Sequence, residues 1–336
     1  MKRLATRLRL FPPFGIAVLL VACPRANVYP ITSNSMSNAG EASNGIGGSN
    51  GIGGSSGIGG SSGIGGASSG APACPMPALR PGDTTRTVLV GTVMRNYVLH
   101  LPATYNAEQL APLVVDFHAL GASGAAERAN SPYPERLDPE GVVMAFPDGS
   151  RGPAGSAWNV GPCCVSNVDD VSFARALVAD VQSIACVDSR RVYAVGVLTG
   201  GGMVHYLGCH AADVFAGIAP AAFDLLEENV DDCKPSRPVS VVSFRSTGDT
   251  RVPYAGGASA LVPGMPLTFL GARTTFETWG AIHRCSGTPA AADANGCAAF
   301  SGCEGGAEVV LCTQQAAGEP PGDPDLAWPI LKRHTL

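Results

Sequence analysis

The chain predicts an α/β fold, a mostly parallel, doubly wound sheet preceded by an antiparallel hairpin. Three observations predict it. Short continuous apolar runs recur through residues 74–336: Pro112-LVVDF, Gly141-VVMAF, Arg191-VYAVGV, Phe215-AGIAP, Pro238-VSVVSF and Glu308-VVLC. Strands covered on both faces need such runs. Amphipathic helical patterns lie between them, as alternating βα units require. The first two segments, Arg86-TVLV and Arg95-NYVLHL, are close in sequence and alternate, the pattern of a hairpin.

In chain order, residues 1–22 form a targeting segment. Lys2, Arg3, Arg7 and Arg9 precede the apolar run from Phe14 to Ala22, the layout of a secretory signal. The run ends in Leu20-Val21-Ala22-Cys23, which resembles a lipobox. In that motif the cysteine becomes the acylated first residue of the mature chain. Cys23 is therefore the expected lipidation site, holding the protein by an N-terminal lipid anchor at the bacterial cell envelope or extracellular face. Removing the four positive charges of this segment takes the net charge from −5 to −9.

Residues 23–73 are rich in Gly and Ser and contain four hexads of the type Asn44-GIGGS, beginning at Asn44, Asn50, Ser56 and Ser62. Four hexads are too few to bury the core of a β-helix, so a flexible tether is expected. Fifty such residues have an r.m.s. span of roughly 40 Å.

With 22 basic against 27 acidic residues, the chain lacks the positive charge that nucleic-acid binding requires. No run of eighteen apolar residues is present to span a membrane. Of eleven cysteines, ten remain after Cys23, an even number that allows five disulfides in an oxidising compartment. Their pairing stays open. No C-x-x-C pair occurs, and His205 and His210 are five apart, so no metal site is expected.

The clearest helix runs over Asp170-VSFARALVADVQSI. It has a stripe of Val171, Phe173, Ala174, Leu177, Val178, Val181 and Ile184, and Asp169 or Asn167 as cap. Gly202-MVHYLGCH and Thr274-TFETWGAIHRC are shorter helical patterns.

Several stretches, in order, resemble the α/β-hydrolase esterases of the polyhydroxybutyrate depolymerase and feruloyl esterase type. They are Tyr97-VLHLP, Pro112-LVVDFHALGASG, Ala145-FPDG, Trp158-Asn159, Gly161-PCC, Asp169-DVSFARALVADV, Arg190-RVYAVG, Gly201-GM, Phe215-AGIAP, Cys233-KPSRPVSVVSF and Gly248-DTRVPYAGG. The likeness covers nearly all of residues 74–336. It implies an α/β-hydrolase fold and cofactor-free cleavage of a carboxylic ester by a Ser-Asp-His triad. The implied substrate is an ester-bearing polymer, a polyester or a feruloylated polysaccharide.

Carried over residue by residue, the resemblance places the triad acid at Asp249. It supplies no serine. Between Gly196 and Met203 the chain reads Gly-Val-Leu-Thr-Gly-Gly-Gly-Met, one residue longer than the family turn. Counting from the strand puts Leu198 at the nucleophile position, and counting back from Met203 puts Thr199 there; Thr199 carries a hydroxyl and is the degenerate nucleophile candidate. In Ala316-Ala-Gly-Glu-Pro-Pro-Gly, Glu319 stands near the family histidine position. His334 belongs to a closing helix, Asp325-LAWPILKRH, and His283 reads as a surface residue. The oxyanion loop has Ala119 and Leu120 after His118 where the family has His-Gly, and Gly200 supplies the amide on the nucleophile side.

A catalytically impaired hydrolase is the resulting expectation, because losing a triad Ser or His costs about six orders of magnitude in kcat. The alternative is an active carboxylesterase. In it Thr199 attacks, Glu319 beside Asp249 acts as a base of raised pKa, or an unrecognised nucleophile and base do the work. Gly200-Gly-Gly lacks both G-x-G-x-x-G and a Walker lysine, so no nucleotide cofactor is expected.

Overall fold

A computed structural model describes residues 74–262 and 264–336. The signal segment, Cys23 and the tether lie outside the described residues. The elements are β1 (Gly82–Val90), β2 (Val93–Leu101), β3 (Ala111–Phe117), α1 (Gly124–Asn130), α2 (Tyr133–Leu137) and β4 (Val143–Pro147). A small hairpin follows, β5 (Ser150–Gly152) and β6 (Gly155–Ala157), then α3 (Asp170–Ile184), β7 (Val187–Val197), α4 (Thr199–His210), β8 (Gly217–Ala221) and β9 (Ser240–Gly248). The rest comprises the hairpin β10 (Gly257–Val262) and β11 (Met265–Phe269), α5 (Ala272–Ile282), β12 (Cys297–Phe300), β13 (Val309–Ala317) and α6 (Pro324–Leu331).

Nine strands form one sheet in the order β1-β2-β4-β3-β7-β8-β9-β13-β12. The strands from β4 to β13 are parallel to one another, β1 and β2 run antiparallel at one edge, and β12 is antiparallel at the other. Every apolar run became a strand of this sheet. β12 had no such signal, since its four residues are half-buried at the edge.

The runs are apolar throughout because both faces are covered. Phe173 and Leu177 of α3, Met203 and Leu207 of α4, and Phe276 and Trp279 of α5 pack one face. Tyr133 and Leu137 of α2, with Trp328 and Leu331 of α6, pack the other. In α3, Asp169 is the cap, accepting Ser172 N–H at 2.8 Å, and the stripe is buried except for partly covered Val171 and Ile184. α4 begins three residues before its apolar pattern, because Gly200 to Gly202 carry no periodic signal.

The ten cysteines pair as Cys74–Cys186, Cys163–Cys164, Cys209–Cys233, Cys285–Cys303 and Cys297–Cys312. β3 has β4 on one side and β7 on the other, so winding reverses there. The carboxyl ends of β3 and β7 are thus the switch point where open α/β sheets bind ligands.

Candidate active site

At the carboxyl end of β7 the chain turns sharply into α4, and the turn is built by close backbone approach. A Cβ on Gly196 would sit 2.8 Å from Phe117 O and from the Gly200 carbonyl, and one on Gly200 would overlap Phe117 O. Leu198 N donates to Ala221 O at 3.0 Å, and Leu198 O accepts from Gly202 N at 3.0 Å. Between these ties Leu198 is held at φ 51°, ψ −123°, a region that costs a non-glycine residue about 1–3 kcal/mol. The frame is therefore Gly196-x-Leu198-x-Gly200, the spacing of a G-x-S-x-G elbow.

This corrects the candidate at Thr199. The strained turn falls on Leu198, and Thr199 is the first residue of α4, fully buried, its Oγ1 without a hydrogen-bond partner. The amide following the turn residue is then that of Thr199 rather than of Gly200. The signal for this was in the sequence: the Gly-x-x-x-Gly spacing of Gly196 and Gly200, with Leu198 at its centre.

Asp249 lies just after β9, with a side chain fully out of solvent. Its Oδ1 accepts Arg251 N and Val252 N, each at 2.9 Å. Its Oδ2 has no hydrogen-bond partner, and its nearest cation is Arg245 Nη2 at 3.8 Å. Arg245 itself is fully buried and donates to Asp224 Oδ2 and to Val252 O, each at 2.6 Å. One guanidinium thus faces two carboxylates. Burial, helped by the charge of Asp249 and opposed by Arg245, pushes the Asp224 carboxyl up to about 7.

Glu319 is not poised as a base. Arg251 Nε donates to its Oε1 at 2.5 Å, and this bond holds the carboxyl below its ordinary range, the opposite of what general-base work needs. His283 is also corrected: it is buried, not superficial, and caps α5 with its Nε2 accepting Val239 N at 3.5 Å. His334 follows α6 and contacts Glu308 Oε1 at 3.0 Å.

All six histidines of the chain fall among the described residues, and none hydrogen-bonds Asp249. His100 sits between Asp83 and Asp138. His205 Nδ1 accepts Trp279 Nε1–H at 3.1 Å while its Nε2–H donates to Phe223 O, and burial lowers its pKa to about 3. His210 packs on Tyr206, ring centroids 4.3 Å apart.

His118 directly follows β3, beside the elbow. Its Nδ1–H donates to Ala119 O at 2.7 Å, which leaves Nε2 to accept Gly149 N–H at 2.9 Å. The Ser156 hydroxyl stands 3.4 Å from the same Nε2, and Trp158 Nε1 donates to His118 O at 2.8 Å. Burial lowers the His118 pKa. Ala119 and Leu120 follow, both half-buried. The Ser156–His118 contact was not anticipated, since the two lie 38 residues apart and meet only through the β5–β6 hairpin.

No family model matches the chain. It is 40% identical over 245 residues to feruloyl esterase B of Piromyces equi, covering 72% of this chain and 46% of that protein. It is 29% identical over 154 residues to feruloyl esterase D of Neurospora crassa, covering 43% and 50%. The chain spans about half the length of these curated relatives. An acetyl xylan esterase from Aspergillus awamori superposes with a TM-score of 0.56 at 13% identity, over 74% of this chain and 99% of that one, a likeness of fold. Sheet order, elbow frame and sequence likeness together make residues 74–336 an α/β-hydrolase-fold relative of the feruloyl esterases.

Proposed function

We propose that this is an exported ester-recognising protein in which the acyl-enzyme chemistry of its relatives is absent. One observation carries the proposal: Leu198 occupies the elbow while no imidazole reaches Asp249. A leucine side chain has no atom to attack a carbonyl, and an alcohol elsewhere has no base at Asp249 to take its proton.

The ligand class is an ester-bearing polysaccharide, feruloylated or acetylated, in keeping with the feruloyl and acetyl xylan esterases it resembles; a polyester is the other candidate. Five disulfides support export to an oxidising compartment. Acylation at Cys23, with residues 23–73 as tether, would hold the domain near a membrane.

The test compares the wild-type full chain with a Leu198→Ser/Glu319→His variant on p-nitrophenyl acetate, beside a pull-down on feruloylated arabinoxylan. The wild type is expected to bind the polymer and to leave the ester at the uncatalysed rate. The double variant is expected to gain at least about a hundredfold over it. Wild-type turnover of about 1 s⁻¹ or more, the ordinary range for an enzyme, overturns the proposal.

A second reading rests on the Ser156–His118 contact, an alcohol within reach of an imidazole at the switch point. It is disfavoured because Nε2 has one in-plane lone pair, which Gly149 N–H occupies at the shorter distance. A burial-lowered pKa further weakens His118 as a base. Fluorophosphonate labelling of Ser156, lost in Ser156→Ala, would establish this second route.

A further inference from the structure

At the amino ends of β8, β9 and β13, opposite the elbow, lies a cavity of about 270 Å³ with an almost wholly polar lining. Arg237, Ser240, Gly305, Gly306, Arg333 and His334 contribute to it. Its charge balance is uneven. Arg333 Nη2 donates to both oxygens of Glu308 at 2.7 and 2.9 Å, and His334 Nε2 reaches the same carboxylate at 3.0 Å. Glu308 is thereby engaged by two neighbours.

Arg237 has no carboxylate within 4 Å among the described residues. Its bonds are to carbonyls, Ala212 O at 3.4 Å and Thr335 O at 3.1 Å, which leaves three of its five N–H groups without a protein acceptor. Half-burial without an acidic partner pulls its pKa down, a desolvation cost that the two carbonyl bonds offset only in part. Ser240 Oγ accepts Glu308 N–H at 3.1 Å and keeps its own O–H to donate.

We propose that Arg237 and Ser240, flanked by Arg333 and His334, form a binding site for a phosphate-type oxyanion. A fixed guanidinium with free N–H groups matches tetrahedral oxyanion geometry, and the near absence of apolar lining disfavours an aromatic acid. The site stands on its own geometry, apart from the ester-recognition proposal. Two sources share this chemistry, free phosphate and the phosphate of an anionic lipid headgroup. The second draws on the membrane tether.

The test uses the full chain carrying Cys23→Ser, so that acylation does not govern membrane binding. Inorganic phosphate is titrated by calorimetry against this protein and against its Arg237→Gln, Arg237→Lys and Arg273→Gln derivatives. Arg273 is an exposed residue of α5 outside the cavity and serves as the equal-charge control. Arg237→Gln is expected to weaken phosphate binding by about tenfold or more, Arg237→Lys to restore part of it, and Arg273→Gln to leave it unchanged. Circular dichroism melting of Arg237→Gln separates loss of binding from loss of fold; in a variant that does not fold, the partial loss in Arg237→Lys decides. Co-sedimentation with phosphatidylglycerol vesicles, set against pure phosphatidylcholine, distinguishes the sources. Binding to the anionic vesicles that phosphate displaces assigns a headgroup; phosphate binding without vesicle binding assigns the free ion. No phosphate binding, or equal weakening in Arg273→Gln, overturns the site.

Discussion

Arg251 holds Glu319 through a 2.5 Å bond from Nε to Oε1, so the residue nearest the family histidine position faces a guanidinium rather than Asp249. Asp249 keeps the form of a triad acid, with one oxygen fixed by two backbone amides and the other without a donor.

Restoring single residues should accomplish little. Leu198→Ser alone has no base, and Glu319→His alone has no nucleophile, so each is expected to remain at the wild-type rate on p-nitrophenyl acetate. Triad members act as a unit and their effects are far from additive. Steady-state assays of the two singles and the double should show a gain in the double well above the product of the singles. Equal gains in Leu198→Ser and the double would mean that another group serves as base.

Gly200→Ala should destabilise by about 3 kcal/mol or more, because its Cβ would overlap a backbone oxygen that cannot swing aside. Urea unfolding followed by fluorescence measures it. A loss below about 0.5 kcal/mol, the range of ordinary surface changes, would show that the elbow packs less closely than described.

Asp224 has a folded-state pKa raised from 3.8 to about 7 by burial. Between those values the native state carries a proton that the unfolded chain has lost, so this contribution is complete below about pH 4 and disappears as pH rises through about 7. The slope is at most about 1.4 kcal/mol per pH unit. Stability of the wild type relative to Asp224→Asn, from denaturation curves at pH 4, 5.5 and 7, should therefore fall as pH rises. A difference that is constant or rises across that interval contradicts the assignment.

The Cys74–Cys186 bridge closes a separation of 112 residues, against 18 for Cys285–Cys303. Loop-closure entropy grows with the logarithm of that separation, so replacing the first pair by serines should cost about 1–2 kcal/mol more than replacing the second. Thermal melts of the two double-serine variants test the order. Equal costs would point to residual structure in the unfolded chain.

Much of the fold was legible because its signals are local. Six apolar runs and one alternating pair became strands of the sheet, and the Asp169-capped stripe became α3. A period of two or 3.6 residues depends only on neighbours along the chain. β12 and the hairpins β5–β6 and β10–β11 were not legible, being short segments, largely outside the core, whose pairing is set by what lies beside them.

At the site the division is sharper. Sequence alone specified the α/β plan and the absence of a serine in the turn. Packing chose Leu198 over Thr199 for the strained position, since Gly200 must fit against Phe117 O and Leu198 N must meet Ala221 O. Packing likewise sent Glu319 to Arg251, placed Arg245 between two carboxylates and selected the five cysteine pairs. Each of those outcomes rests on contacts that strand order and burial bring together, and one-dimensional pattern holds no record of such distances.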